Sequence, residues 1–246
     1  MTKNPVGIST YLARTLYGFY GWAVFGICAL FALIAVLVVP GEARRHRLAA
    51  AASRAIFVLG GVKPEIIGLE NIPDGHAVVV ANHASYVDGV LLKGYLPYRF
   101  SFVIKGEMRD IPVAHFLLRR SGSKFVERHE ARGSTRDARS IVKAAKVGQS
   151  LAFFPEGTFR EEPGVGRFRA GAFVSAVSGG MPIVPVAISG TREMMPSGRS
   201  WPWPIRPQIR ILPPIPPDDP SFGNHRELAE KARQQILALL DEPDLC

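Results

Sequence analysis

Ala77-Val78-Val79-Val80-Ala81-Asn82-His83-Ala84-Ser85-Tyr86-Val87-Asp88 changes character halfway along. The first five residues form an apolar run with the length and β-branched content of a buried strand. A short polar stretch follows, and residues 86–95 then read as a helix. Strand, loop and helix in that order are the building unit of an α/β fold. In such folds functional groups gather where strands end and helices begin, and His83 and Asp88 stand at such an exit. On one continuous helix, residues five apart differ by about 140° around the axis, and the two side chains could not easily meet. With His83 on the loop and Asp88 in the first turns of the helix, the imidazole can fold back onto the carboxylate. Asp88 would then accept Nδ1–H and fix the tautomer, leaving Nε2 to take a proton from a substrate hydroxyl. The plainer reading is a polar turn. Ser85 is either a cap for the helix or the nucleophile of a Ser-His-Asp triad. No Gly-x-Ser-x-Gly elbow surrounds it, so capping is the simpler role.

The same alternation continues on either side. Strands are expected at 65–68, 77–81, 100–104, 124–126, 151–154, 183–188 and 208–212, from their Val/Ile/Phe content and their Gly/Pro/Asp borders. Helices are expected at 86–95, 112–120, 134–147, 170–178 and 224–240; in the last, Leu228, Ala232, Ile236 and Leu239 make one apolar stripe. The expected fold class is α/β, a mixed, largely parallel sheet flanked by helices. Residues 196–220 hold many prolines and read as an extended surface connection.

Three further strand exits carry charge. Phe154-Pro155-Glu156-Gly157-Thr158-Phe159-Arg160 leaves one strand for a loop punctuated by Pro155 and Gly157. Such a loop can offer main-chain N–H groups and a guanidinium to an anion. Arg128 follows the short strand at 124–126, and Lys105 follows the strand at 100–104. A single Lys or Arg is usually a solvated surface charge. Cations at the same ends of neighbouring strands point instead to a phosphate pocket.

Residues 15–41 contain no charge. As a helix, 16–39 would run about 36 Å, enough for a hydrocarbon core of about 30 Å. Tyr17, Tyr20 and Trp22 cluster at one end as interfacial aromatics do, and Arg44, Arg45 and Arg47 follow the other. The run is too long for a cleaved signal peptide and lacks a small-x-small site. A membrane span and a helix half-inserted beside a second one at 42–59 are both compatible. Either keeps the remainder on the cytoplasmic side of the inner membrane. The expected division is a membrane-associated helical segment at 1–60 and an α/β domain at 61–246.

The chain has 246 residues and a formal charge of +9. That balance favours anionic partners, and the arginines beside the apolar segment suit anionic lipid heads better than nucleic acid, for which no signature is present. Cys28 and Cys246 are the only cysteines, so no disulfide framework is expected. The histidines show no metal-ligand spacing, and no metal or resident cofactor is expected.

Taken together, these segments resemble the four motifs of the 1-acyl-sn-glycerol-3-phosphate acyltransferase family of glycerolipid acyltransferases. Asn82-His83-(four residues)-Asp88 matches the first, 122–128 resembles the second, Phe154-Pro155-Glu156-Gly157-Thr158 matches the third, and Ile183-Val184-Pro185-Val186-Ala187-Ile188 resembles the fourth, in the family's order. The resemblance implies a membrane enzyme that moves an acyl group from acyl-CoA or acyl-carrier protein to a lysophospholipid hydroxyl, typically that of lysophosphatidic acid, giving phosphatidic acid. It implies His83 as the base and Asp88 as its orienter. Arg128, Glu156, Gly157 and Thr158 would bind the glycerol phosphate, helped by Lys105 and Arg160, and Pro185 belongs to the acyl-donor side. The sequence departs from the family at two positions. Phe159 stands where an arginine commonly follows the threonine, and Glu127 stands where an aspartate often precedes the arginine. Another lysophospholipid, or a lyso-ornithine lipid, is the alternative acceptor. A lipid-binding membrane protein without chemistry is the alternative of another class, against which an intact His83 and Asp88 argue.

Overall fold

A computed structural model describes residues 8–127 and 131–246. Its strands are β1 (Glu65–Ile67), β2 (Val78–Ala81), β3 (Ser101–Lys105), β4 (Lys124–Val126), β5 (Leu151–Phe153), β6 (Ile183–Ser189) and β7 (Gln208–Ile211). They form one sheet in the order β1-β7-β6-β2-β5-β3-β4, the mixed, largely parallel arrangement expected. Every neighbouring pair is parallel except β6 with β7.

The opening apolar run is β2, the middle strand. All four of its residues are buried, because helices cover both faces of the sheet. The helices are α1 (Ile8–Val38), α2 (Glu42–Leu59), α3 (Asp88–Tyr95), α4 (Pro112–Arg120), α5 (Ala131–Lys146), α6 (Gly171–Gly179), α7 (Thr191–Met194) and α8 (His225–Leu237). Side chains alternate along a strand. Val78 and Val80 therefore point into a core shared with Ile141 of α5, Phe173 of α6 and Leu228 of α8. Val79 and Ala81 point the other way, toward Phe57 of α2 and Leu91 and Leu92 of α3. On α8, Leu228, Ala232 and Ile236 are buried as expected, whereas Leu239 lies beyond the helix end and is exposed.

Helix α1 is long and apolar enough to cross a membrane by length and composition, with a mean hydropathy of 2.6 over an 18-residue stretch within Thr10–Val38. One stripe of it, Val24, Cys28, Ala32, Ala35 and Val36, is buried. These residues recur at the three- and four-residue spacing of a single helix face, and α1 packs on α2 and α4. Leu16, Phe19, Ile27, Leu30, Phe31, Ile34 and Leu37 stay exposed.

The first part of the 196–220 segment is not a free surface connection. Trp201 and Trp203 are large apolar rings that need cover, and α1 and its neighbours supply it. Trp201 donates to the Thr15 carbonyl at 3.2 Å and meets Phe19 edge-on at 4.8 Å, and Trp22 donates to the Ser200 carbonyl at 2.8 Å. The guanidinium groups of Arg14 and Arg199 lie 4.0 and 3.6 Å from the Trp203 ring centre.

Candidate active site

The parallel strands β2, β5, β3 and β4 are consecutive neighbours, so the loops after them open on one edge of the sheet. Those loops carry His83, Glu156 and the residues after Val126, and Lys105 ends β3 at the same edge.

The first loop is held by Asn82. Its amide donates to the Ile188 carbonyl at 2.9 Å and accepts from the Ile188 N–H at 2.7 Å. The side chain thus extends the β2–β6 ladder by one pair beyond Val186. The chain then turns, and α3 begins at Asp88, so His83 is on the loop and Asp88 on the first helical turn. His83 Nδ1 lies 2.9 Å from Asp88 Oδ2. That oxygen also accepts the N–H groups of Ala84 at 2.7 Å and Ser85 at 2.8 Å. An oxygen accepting two N–H groups is an unprotonated acceptor, so the imidazole donates through Nδ1. This leaves the Nε2 lone pair as the basic position. The Asp88 side chain is fully buried and the His83 side chain is 17% exposed, which shields the carboxylate from water while leaving the imidazole accessible.

Phe154 stacks on the His83 ring at 4.2 Å and Phe159 meets it edge-on at 4.7 Å. Both come from the second loop and fix the ring plane. Ser85 does not serve as a side-chain cap for α3. Its buried hydroxyl donates to the Met195 carbonyl at 2.5 Å, a bond that ties the loop to the end of α7 and leaves the oxygen shielded from substrate.

Glu156 spends both carboxylate oxygens on main chain. Oε1 accepts the His83 N–H and Oε2 the Gly166 N–H, each at 2.8 Å. Burial pushes its carboxyl above the ordinary range despite these two donors. Gly157, at φ 89°, turns the loop where a side chain would be strained. The Thr158 hydroxyl donates to the Gly157 carbonyl at 2.9 Å, and Thr158 and Arg160 are exposed. Lys105 ends β3 opposite Val126, half-buried, and its ammonium has no hydrogen-bond or ion-pair partner among the described residues. Arg128 lies outside the described residues. The segment leading to it is held by Asp137, which accepts the Glu127 N–H and the Arg109 guanidinium, both at 2.9 Å. Pro185 is buried inside β6 in register with Val80, and its carbonyl accepts from Leu212.

The loop after Glu156 is braced from the far end of the chain. Arg192 clamps Glu242 with two bonds of 2.9 and 3.0 Å and donates to the Arg160 carbonyl at 3.0 Å. Val165 donates to the Pro243 carbonyl, and the buried Arg233 pairs with Asp244. Sequence reading did not reach Arg192, Asp137 or Phe159's contact with His83, because their partners lie far away along the chain.

Two cavities flank the site. One, of about 310 Å³, is lined chiefly by apolar groups, among them Trp22 and Phe25 of α1, Phe57 of α2, and Tyr86, Val87 and Met195 beside the His83 loop. The other, of about 530 Å³, lies between the Glu156–Ala170 segment and the start of α8.

Residues 63–189 match the family model described as Acyltransferase. A chloroplastic 1-acyl-sn-glycerol-3-phosphate acyltransferase of Arabidopsis thaliana is 30% identical over 197 residues, 76% of this chain and 55% of the plant protein. One of Brassica napus is 31% identical over 199 residues, and this chain spans 57% of its length. The chain thus spans a little over half the length of these two relatives. A 1-acyl-sn-glycerol-3-phosphate acyltransferase of Chlamydomonas reinhardtii is 30% identical over 237 residues, 90% of this chain and 68% of its own length. Among solved structures, a 1-acyl-sn-glycerophosphate acyltransferase of Thermotoga maritima superposes with a TM-score of 0.75 at 27% identity, covering 92% of this chain and 93% of that one.

Proposed function

The chain belongs to the acyltransferase family, and on that premise we propose that it moves a fatty acyl group from a thioester donor to the sn-2 hydroxyl of 1-acyl-sn-glycerol 3-phosphate, forming phosphatidic acid. The observation that carries this reading is the His83–Asp88 pair, with Nδ1 committed to a buried carboxylate and Nε2 left available. Nε2 takes the proton of the acceptor hydroxyl as its oxygen attacks the thioester carbonyl. The tetrahedral intermediate collapses, the C–S bond breaks, and the imidazolium returns its proton to the departing thiolate. Asp88 stabilises the imidazolium in between. No resident cofactor or metal is needed, because the thioester is already activated.

Lys105, which ends β3, and Arg128, which follows β4 in the sequence, hold the acceptor phosphate, with Thr158 and Arg160 at its rim. Gly157 gives the loop its turn. Glu156, bonded to two N–H groups, acts on the phosphate only through the loop it shapes. Burial of Pro185 favours a role in the sheet over contact with the donor. A second reading, in which another lysophospholipid or a lyso-ornithine lipid is the acceptor, is favoured by Phe159, which sets an aromatic ring against His83 directly after Thr158.

The apolar cavity between α1, α2 and the His83 loop suits an acyl chain. We read residues 1–60 as an anchor in one leaflet, with the rest of the chain at the cytoplasmic face of the inner membrane. A spanning helix would carry its far end about 30 Å from the headgroups where it entered. Here the far end of α1 stays on the protein: Arg120 donates to the Val36 carbonyl at 3.0 Å and Arg45 to the Val39 carbonyl at 3.5 Å. Exposed Val58 and Leu59 of α2, and Ile111, Val113 and Phe116 on or beside α4, add to the apolar surface of α1.

The test is an acyl-transfer assay of detergent-purified protein with a panel of lyso acceptors and both donor types. Lysophosphatidic acid should be the best acceptor, and His83→Ala should reduce turnover by at least about a hundredfold while the protein remains folded and membrane-bound. Near-normal turnover in His83→Ala would overturn the mechanism.

A further inference from the structure

Helix α1 carries a single charged residue, Arg14, in 31 residues. Exposed Tyr11 and Leu12 precede it, and exposed Leu16 and Phe19 follow. A charge on such an apolar helix is costly unless it meets a partner. Among the described residues, the Arg14 guanidinium has no carboxylate and no hydrogen-bond acceptor. It meets the Trp203 ring instead, at 4.0 Å, and Arg199 approaches the same ring at 3.6 Å. The two cations therefore stand within about 8 Å of each other, where like charges repel. One guanidinium on Trp203 would fasten α1 to the body by cation–π attraction. The second adds repulsion without a matching acid. Glu161, whose carboxylate lies beside Gly198, and Glu193, on α7, form no ion pair with either arginine among the described residues. Burial and the charge of Arg14 both push the Arg199 guanidinium below its ordinary range.

Arg199 is held in place by its own neighbourhood. Nε donates to the Trp201 carbonyl at 3.1 Å, and Nη2 donates to the carbonyls of Glu193 at 2.6 Å and Met194 at 3.2 Å. Its Nη1 and the whole fork of Arg14 keep their N–H donors uncommitted among the described residues. Two such forks at one aromatic ring suit the oxygens of a phosphate. The surroundings select its source. The exposed side chains flanking Arg14 on α1 are apolar, and Tyr11, Trp201 and Trp203 are of the kind that sits at headgroup depth. A phosphate that arrives with acyl chains attached suits this surface better than a free ion. Position separates it from the acceptor phosphate. The 196–203 segment lies between β6 and β7 in the chain, whereas Lys105 and the residues after Val126 belong to β3 and β4, across β2 and β5 from β6.

We propose that Arg14, Trp203 and Arg199 bind the phosphate of an anionic diacyl phospholipid of the surrounding bilayer, away from the catalytic edge, and that this lipid pins the 196–203 segment to α1. This rests on the membrane anchoring proposed above and not on the acyl transfer. The bound lipid also steadies the catalytic loop. Trp203 donates its main-chain N–H to the Met194 carbonyl at 2.9 Å, which Arg199 shares. The next carbonyl, that of Met195, takes the Ser85 hydroxyl of the loop that carries His83.

The test uses the full chain in neutral detergent. Phosphatidylglycerol is the probe, because it is neither acceptor nor product of the proposed reaction. The melting midpoint is followed as the lipid is added to wild type, Arg14→Gln and Arg44→Gln, the last removing one exposed charge from α2. Phosphatidylglycerol should raise the midpoint of wild type and Arg44→Gln at half-saturating mole fractions within about twofold of each other, and Arg14→Gln should need at least about fivefold more. If Arg14→Gln fails to fold, Arg14→Lys replaces it; it keeps the charge without the fork and should need at least about threefold more. Inorganic phosphate should act alike on wild type and Arg14→Gln. A stabilisation by inorganic phosphate that Arg14→Gln abolishes would assign the pair to a soluble anion and overturn the proposal. Equal weakening in Arg44→Gln would reduce the effect to diffuse charge attraction and overturn it too, as would an unchanged half-saturation in Arg14→Gln. Flotation with phosphatidylcholine vesicles checks the anchoring separately, and all the proteins should float. A wild-type chain that does not float, yet binds phosphatidylglycerol through Arg14 in detergent, would sink the anchoring and leave the site standing.

Discussion

Glu156 holds His83 by its main chain, accepting the His83 N–H at 2.8 Å through one oxygen while the other takes Gly166. A carboxylate in a loop of cations reads as part of the substrate site, yet its geometry is that of a bolt between two loops. Glutamine has one acceptor where glutamate has two, so Glu156→Gln sets an amide N–H₂ against a main-chain N–H. The expected result is a fall in kcat of about a hundredfold through displacement of the imidazole, with the acceptor KM little changed. Steady-state kinetics decide it, since a phosphate ligand would show chiefly in KM.

Asn82 and Ile188 form a closed pair buried in the sheet. Asn82→Ala leaves both the N–H and the carbonyl of Ile188 without partners. Each orphan costs about 1–3 kcal/mol, so urea unfolding should show a loss of about 3 kcal/mol. Asn82→Asp should also destabilise, because it keeps the acceptor for the N–H but loses the donor to the carbonyl and buries a charge.

Lys93, on α3, donates to the Ser121 carbonyl at 3.1 Å, and burial lowers its ammonium to about 8. The unfolded chain takes up that proton more readily than the folded one. Its effect on stability is therefore least favourable below pH ~8 and improves as the pH rises from there toward the ordinary lysine value. Lys93→Met should lack this rise. The gap between wild-type and variant unfolding free energies should shift by up to about 3 kcal/mol between pH 7 and pH 10.5, and equal pH profiles would contradict it.

Gly18 lets the Trp201 ring lie directly on α1; a Cβ there would stand 1.8 Å from Trp201 Nε1. Gly18→Leu, a better helix former, should leave α1 helical but push the Trp201–Trp203 segment off. Tryptophan emission should shift to the red and limited proteolysis near Trp201 should accelerate. An unchanged spectrum would mean that the segment is held by other contacts.

All seven strands were legible from short Val/Ile/Phe-rich runs bordered by turn residues, most plainly β2, β5 and β6, which the sheet covered on both faces buries almost outright. The loop-to-helix placement of His83 and Asp88 followed from spacing alone. What escaped were relations between distant residues. Nothing near Glu156 in sequence announces Gly166 and His83 as its two donors, and the proline-rich look of 196–220 concealed two tryptophans that need α1. The short α7 carries too few residues for a periodic signal.

Trp201 and Trp203 fasten the outermost helix to the catalytic body, and Arg120 fastens its other end. On the anchoring proposed above, such a molecule travels in the plane of the lipid sheet at a fixed tilt. The acceptor concentration it meets is then a mole fraction in two dimensions, not a molarity. Diluting lysophospholipid with inert lipid should slow the reaction even when the total amount in the tube is unchanged.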